Sequence, residues 1–317
     1  MAHLSEVKVD DLSDIHIKQN EPERSIAYRD GSPQPVREDE LVLVHELLKK
    51  VSEIDRADFM VENDGTFWRG RKDKQAVDGT WFRLRKMQPK PPNLGALPSP
   101  MAAPYKAVLM SSQLQRGGLV HIAGAPGSGK TTTASAIVVS RLMEFGGVAY
   151  SVEDPPELPL NGWHGKGYCT QTWVAGDNAA DWTESMRGVL RSQPTGTSVI
   201  LYVGEIRDAD TARAMLRAAS NGFLVVSTGF GADIISSIDS FLQLVGRDYA
   251  PTIASVLRVV IHQKIENDRF TVDMLTCDQS TPQVANIIRG GQLAQLANEV
   301  LYQRNQIRSQ MNLPGRV

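Results

Sequence analysis

Three glycines, a lysine and two threonines lie close together in Gly124, Ala125, Pro126, Gly127, Ser128, Gly129, Lys130, Thr131 and Thr132, at the spacing of a P-loop. Glycines let the backbone curl with its N–H groups inward, and a helix starting here turns its positive end to the same point. An anion is therefore expected in the loop. Lys130 is expected to reach the β- and γ-phosphates and the Thr131 hydroxyl to hold a magnesium ion, so the cofactors implied are ATP and Mg²⁺.

Phosphoryl transfer to water also needs a carboxylate near the metal and a group that orients the attacking water. In open parallel sheets ligands bind beyond the carboxyl ends of the strands, and two acidic clusters follow strand-like runs. Glu153-Asp154-Pro-Pro-Glu157 comes after Gly147–Val152, and Gly204-Glu205-Ile-Arg207-Asp208 comes after Ser198–Val203. Glu205 is the candidate at the metal, in the shell around its direct ligands, and Glu153 the candidate water-orienting base. Asp154 and Glu157 stand equally for structural and functional roles. His16, His121, His164 and His262 are scattered and are expected to be satisfied structural histidines. Trp163, Trp173 and Trp182 cluster in and after a glycine-rich insertion, as an exposed docking surface or as a share of the core.

These groups need a rigid frame. Leu119–Ala123 before the loop reads as a strand, and after it Ala134, Ile137, Val138, Leu142 and Phe145 recur at helical spacing toward a sheet. Strand and helix alternate from about residue 103 onward, with Phe223–Ser227 a further strand, which is the pattern of a largely parallel α/β sheet. Upstream, residues 11–87 read as a smaller α+β unit. Its short strands are Asp14–Ile17 and Ser25–Tyr28, its helix Glu40–Ser52 carries Leu41, Val44, Leu47, Leu48 and Val51 on one face, Asp64-Gly65 signals a hairpin, and Thr80–Arg85 alternates as a strand. Prolines crowd Gln88–Pro92 and Leu97–Pro100, an extended, stiff linker that lets the two domains change their mutual angle. The domains expected are 1–88, a linker 89–102, and 103–317.

The 317 residues, 41% hydrophobic, are enough for two cores. Thirty-four basic against thirty-six acidic residues argue against a general nucleic-acid scaffold, so no direct nucleic-acid partner is expected. Cys169 and Cys277 belong to no spaced set with histidines, and no apolar run of membrane-spanning length occurs. A soluble cytoplasmic protein, peripheral at a membrane only through partners, is the expectation.

Taken with the P-loop, three further stretches resemble the secretion ATPase superfamily, the motors of type II secretion, type IV pili and type IV secretion, most nearly the pilus-retraction branch and its relatives in conjugation and Dot/Icm-type secretion. They are Val152-Glu-Asp-Pro-Pro-Glu157, Leu190-Arg-Ser192 leading into Val203-Gly-Glu-Ile-Arg-Asp208, and Leu257-Arg-Val-Val-Ile-His-Gln263. Gln283–Gln292 resembles a helix of the retraction motors, and Leu12–Ile17 the motif opening their PAS-like N-terminal domain. The resemblance implies a RecA-like P-loop domain preceded by that smaller PAS-like domain. It also implies a homo-hexamer that works with inner-membrane platform or channel proteins and holds ATP between its two domains, with arginines from the N-terminal domain completing the site. Arg69, Arg71, Arg83 and Arg85 are available, half of them expected to be ordinary surface charges, and Arg83 and Arg85 are assigned to the nucleotide. The chain departs from the family at Phe223 and Phe230, where histidines are usual.

The function expected is thus an ATP-hydrolysing motor of a secretion, conjugation or pilus machine. A nucleotide-binding regulatory or structural subunit of the same machine with little turnover is the alternative, and a DNA-handling P-loop enzyme a further one.

Overall fold

The computed structural model describes residues 11–88, 90–174, 179–206, 208–266, 269–278 and 280–311. By its internal contacts the chain forms two compact units, the first comprising the residues up to Lys90 with Glu157–Pro159, the second Pro91–Pro156 and Leu160 onward.

Among the described residues of the first unit, β1 (Asp14–Lys18), β2 (Ile26–Arg29), β3 (Ser32–Pro35), α1 (Leu41–Ser52), β4 (Asp58–Asn63), β5 (Thr66–Gln75) and β6 (Gly79–Lys86) build one antiparallel sheet in the order β3-β2-β1-β6-β5-β4 and a single long helix. Asp64 and Gly65 carry φ values of 48° and 75° between β4 and β5, the left-handed pair that a two-residue hairpin turn requires. Asp30 and Gly31 do the same between β2 and β3. The prolines of β3 hide it from sequence reading, and they are tolerated because β3 lies at the sheet edge. Alternation buries Ile15, Ile17, Phe82 and Leu84, and α1 buries Leu43, Val44, Leu47 and Val51, with Leu41 and Leu48 only half-covered. The opposite sheet face gathers charge, since Arg69 pairs across strands with Arg85, Arg71 with Arg83, and Asp14 with Arg85.

The second unit contains α2 (Ala103–Leu109), β7 (Gly118–Ala123), α3 (Lys130–Phe145), β8 (Gly147–Glu153), β9 (Gly162–His164), β10 (Gly167–Trp173), α4 (Ala179–Arg191), β11 (Val199–Glu205), α5 (Ala209–Ser220), β12 (Leu224–Gly229), α6 (Ile234–Val245), α7 (Ala250–Val256), β13 (Leu257–Glu266), β14 (Arg269–Thr276), α8 (Pro282–Arg289) and α9 (Leu296–Met311). Its sheet runs β14-β13-β7-β12-β11-β8-β10-β9, parallel from β13 through β10, with β14 and β9 added antiparallel at the edges. Both faces are covered. Leu119, Leu201, Val203, Val225 and Val260 share one core with α5 and α6, while Val120, Ile122, Ile200, Tyr202 and Val226 share the other with α3. Burial on both faces is why stretches such as Val199–Val203 and Leu224–Val226 are apolar at every position rather than at alternate ones. Leu94 and Met101 of the proline-rich stretch belong to the α3-side core, and the Leu94 amide donates to Ser140 Oγ at 2.7 Å. This is the mixed α/β, mostly parallel RecA-like arrangement expected from the motifs. Among the described residues no helix is long and apolar enough to cross a membrane.

The tryptophans divide. Trp182 is core, Trp173 is half-buried with its indole N–H donating to Asp154 Oδ1 at 3.2 Å, and Trp163 on edge strand β9 is 74% exposed against the Tyr168 ring.

Candidate nucleotide site

β7 ends at Ala123 and α3 begins at Lys130, so the loop between them sits at the carboxyl edge of the parallel sheet and opens a helix whose first amides lack intrahelical partners. Gly127 and Gly129 take φ values of 74° and 80°, which curls the loop, and a Cβ at Gly127 would meet no atom within 4 Å. The curl is therefore open to a ligand at that point. Gly124 answers a different need, since a Cβ there would lie 2.3 Å from the Gln263 carbonyl oxygen of β13 and 2.6 Å from Ser128 Oγ. β13 also ties the loop directly, with Gln263 Nε2 donating to the Ser128 carbonyl at 2.6 Å across 135 residues of chain. Gln263 is fully buried, and among the described residues neither its Oε1 nor Ser128 Oγ has a hydrogen-bond partner.

Lys130 folds back over its own loop. Its ammonium donates to the carbonyls of Gly124 at 3.0 Å and Ala125 at 2.9 Å, and the Phe230 ring, half-exposed just past β12, lies 4.8 Å from it. Thr131 and Thr132 follow in the first turn, partly exposed.

Strand order carries the two acidic candidates to the same edge, for β12, β11 and β8 stand successively beside β7 and all run parallel to it. Glu205 is the last residue of β11 and is partly exposed. Glu153 is the last residue of β8 and is 2% exposed, and its Oε1 accepts from Gln171 Nε2 at 2.8 Å. A Cβ on Gly204 would come within 3.3 Å of the Glu153 side chain, so the glycine makes room for that carboxylate. Asp208 has a structural task as the N-cap of α5, accepting from the Thr211 amide at 2.8 Å, and Arg207 lies outside the described residues.

The histidines are locally satisfied. His121, buried on β7, meets Ser227 Oγ at 2.9 Å and stacks on Phe241, and burial pulls its pKa down to about 4. His262 Nε2 lies 3.1 Å from the Gly231 carbonyl, and His164 Nε2 lies 2.7 Å from that of Leu160. His16 sits against the Tyr28 ring, its pKa lowered by burial and by Arg83. Phe223 is core and lies at the amino end of β12, where its carbonyl accepts from the Gly118 amide, so only Phe230 of the two phenylalanines stands at the loop. Arg83 and Arg85 lie on β6 in the first unit, paired with Asp73 at 3.2 Å and Asp14 at 2.8 Å.

Gln263 and the Phe230–Lys130 contact escaped sequence reading as site features. Gln263 ends a recognisable stretch, but nothing local in the chain says that its amide meets Ser128.

The profile of the family described as Type II/IV secretion system protein matches residues 75–302. The chain belongs to that family. It is therefore a member of the secretion ATPase superfamily that its motifs resemble. Among similar members, the uncharacterized Escherichia coli (strain K12) protein YggR is 28% identical over 81% of this chain and 79% of its own length. The type II secretion system protein HxcR of Pseudomonas aeruginosa is 27% identical over 84% of this chain, and the type IV pilus assembly ATPase PilB of Acinetobacter baylyi 28% over 68%. The chain spans only 59% of HxcR and 38% of PilB. In fold this family member resembles the crystal structure of the pilus retraction motor PilT with bound ADP, at a TM-score of 0.72 and 20% identity over 96% of this chain and 93% of that one. It also resembles the Legionella pneumophila ATPase DotB, at 0.66 and 20% over 91% and 84%.

Proposed function

We propose that the chain hydrolyses ATP as the motor of a type IV secretion, conjugation or type IV pilus apparatus, working as a ring of six against membrane platform or channel proteins. The observation that carries this reading is the open P-loop at the carboxyl edge of the sheet, with Lys130 in it and Glu153 and Glu205 ending strands on the same edge. The fit to a phosphate chain rests on that glycine-lined curl, the unpartnered Ser128 Oγ beside it and the first amides of α3.

Thr131 and Glu205 would hold Mg²⁺, which when bound neutralises charge on the phosphate oxygens. Gly124, Ala125, Pro126, Gly127, Ser128, Gly129 and Thr132 would wrap the phosphates. Lys130 would exchange its two neutral loop carbonyls for charged phosphate oxygens, the stronger acceptors for an ammonium. Glu153, oriented by the Gln171 amide, would take a proton from the water that attacks the γ-phosphorus as the bond to the β-phosphate oxygen breaks and ADP departs. Arg83 and Arg85 would reach the nucleotide from a neighbouring copy. Their present partners are single carboxylates and the arginines themselves are exposed, and such pairs are worth about 0–1 kcal/mol, so they can be given up cheaply.

A phosphate-release assay with magnesium ATP tests the reading. Turnover should fall on the order of 100-fold in Lys130→Ala and in Glu205→Gln, the usual scale for removing one electrostatic contact to a transition state. Turnover unchanged in both variants would reject it. One observation favours a second reading: an apolar ring rather than a histidine stands at the loop lysine, as suits a nucleotide-binding regulator with little turnover. Tight nucleotide binding without phosphate release, alone and with membrane partners, would select it.

A further inference from the structure

At the amino ends of the parallel strands, across the second unit from the P-loop, a cleft of about 920 Å³ opens between α2, the turn entering β7, the α7–β13 junction and α8. Arg116, Arg258 and Arg289 line it, with Asp278 as a lining carboxylate. Three positive charges thus face one negative in a chain whose net charge is -2. That carboxylate keeps its charge but turns Oδ1 to the amide and hydroxyl of Ser280 in its own turn.

The arginines meet neutral acceptors. Arg258 donates through Nη1 to the carbonyls of Ser255 at 2.8 Å and Leu257 at 3.0 Å, and Arg289 through Nη1 to Asn286 Oδ1 at 2.9 Å. Among the described residues none of the three has an ion-pair partner.

Two backbone devices serve Arg258. The β13–β7 register slips between Leu257 and Val259, so Arg258 is the extra residue of a bulge, a feature that re-aims a side chain. Facing it, Gly118 leaves the space the arginine stem uses, for a Cβ there would lie 2.5 Å from Arg258 Cγ, and Gly118 holds a φ of 125° that favours glycine. Pro104, Ala107 and Val108 of α2 supply an apolar wall. The volume is that of a small-molecule site, and planar, permanently charged guanidinium forks match phosphate oxygens.

We propose that this cleft binds a phosphate-bearing small molecule, its phosphates paired with Arg116, Arg258 and Arg289 and its body laid on α2. Its place at the far end of the strands lets it fill independently of the P-loop. The test is calorimetric titration of the full chain with inorganic pyrophosphate in a Lys130→Ala background, followed by amide hydrogen exchange. Binding should persist there and weaken at least tenfold in Arg258→Gln and in the exposed pair Arg116→Gln with Arg289→Gln, and exchange should slow in α8 and in the turn before β7. Circular dichroism and melting confirm that each variant is folded. The exposed pair keeps the test decisive if Arg258→Gln misfolds. No binding in the Lys130→Ala chain, or equal binding by the folded arginine variants, would overturn the proposal.

Discussion

Phe230 and Lys130 form the contact whose energy is easiest to read out. A cation over an exposed ring is worth about 0.5–1 kcal/mol, and here it favours the folded-back lysine that a nucleotide must displace. Phe230→Ala should therefore raise nucleotide affinity about two- to fivefold, measured by fluorescent-nucleotide titration, and weaker binding would refute the displacement. His121 gives a pH signature. Its pKa is pulled from 6.5 to about 4 by burial, so the unfolded chain binds the proton first as pH falls. Its contribution is present above pH 6.5 and is lost as pH drops toward 4, about 3 kcal/mol over that window. His121→Gln should flatten the acid limb of stability, followed by urea unfolding from pH 7 to 4. An unchanged slope would assign the acid sensitivity elsewhere.

The P-loop is held by an element remote in sequence. β13 supplies the Gln263 amide to the Ser128 carbonyl and presses its own backbone against Gly124. Gln263→Leu keeps the bulk, removes the donor and orphans a buried carbonyl, a cost of about 1–3 kcal/mol. Faster hydrogen exchange in the loop and weaker nucleotide binding are expected, whereas Gln263→Glu loses the donor and adds a buried charge and should fare worse. Gly124→Ala drives a Cβ into backbone that cannot yield as a side chain could, so a fall of about 1–3 kcal/mol in unfolding free energy is expected. An unaltered midpoint in urea would mean that β13 does not brace the loop.

If a second copy completes the proposed site, turnover must depend on assembly. Specific activity should rise with protein concentration and level off as sedimentation velocity shows the six-subunit ring. Arg83→Gln with Arg85→Gln should weaken nucleotide binding by the assembled ring and lower turnover on the order of 100-fold. Asp73 keeps Arg71 at 3.2 Å and both pairs lost involve half-exposed or exposed arginines, so melting of the first unit should move little. Full activity in samples that sediment as monomer would confine the chemistry to one subunit.

Much of this protein was written in one dimension. The P-loop, the strand before it and the helix after it are contiguous, and β-branched runs such as Val199–Val203 report burial on both faces of a parallel sheet. Asp64-Gly65 announces its hairpin because a left-handed pair is a local property. What the tertiary structure alone decided is pairing at a distance. Gln263 reaches Ser128, Gln171 reaches Glu153, and Phe230 rather than Phe223 faces Lys130, although both aromatics flank one strand. The places of β3, β9 and β14 at the sheet edges are likewise set by strand order. Periodicity encodes which face of an element is buried, whereas the identity of the partner across the sheet depends on strand order, which no short window of residues contains.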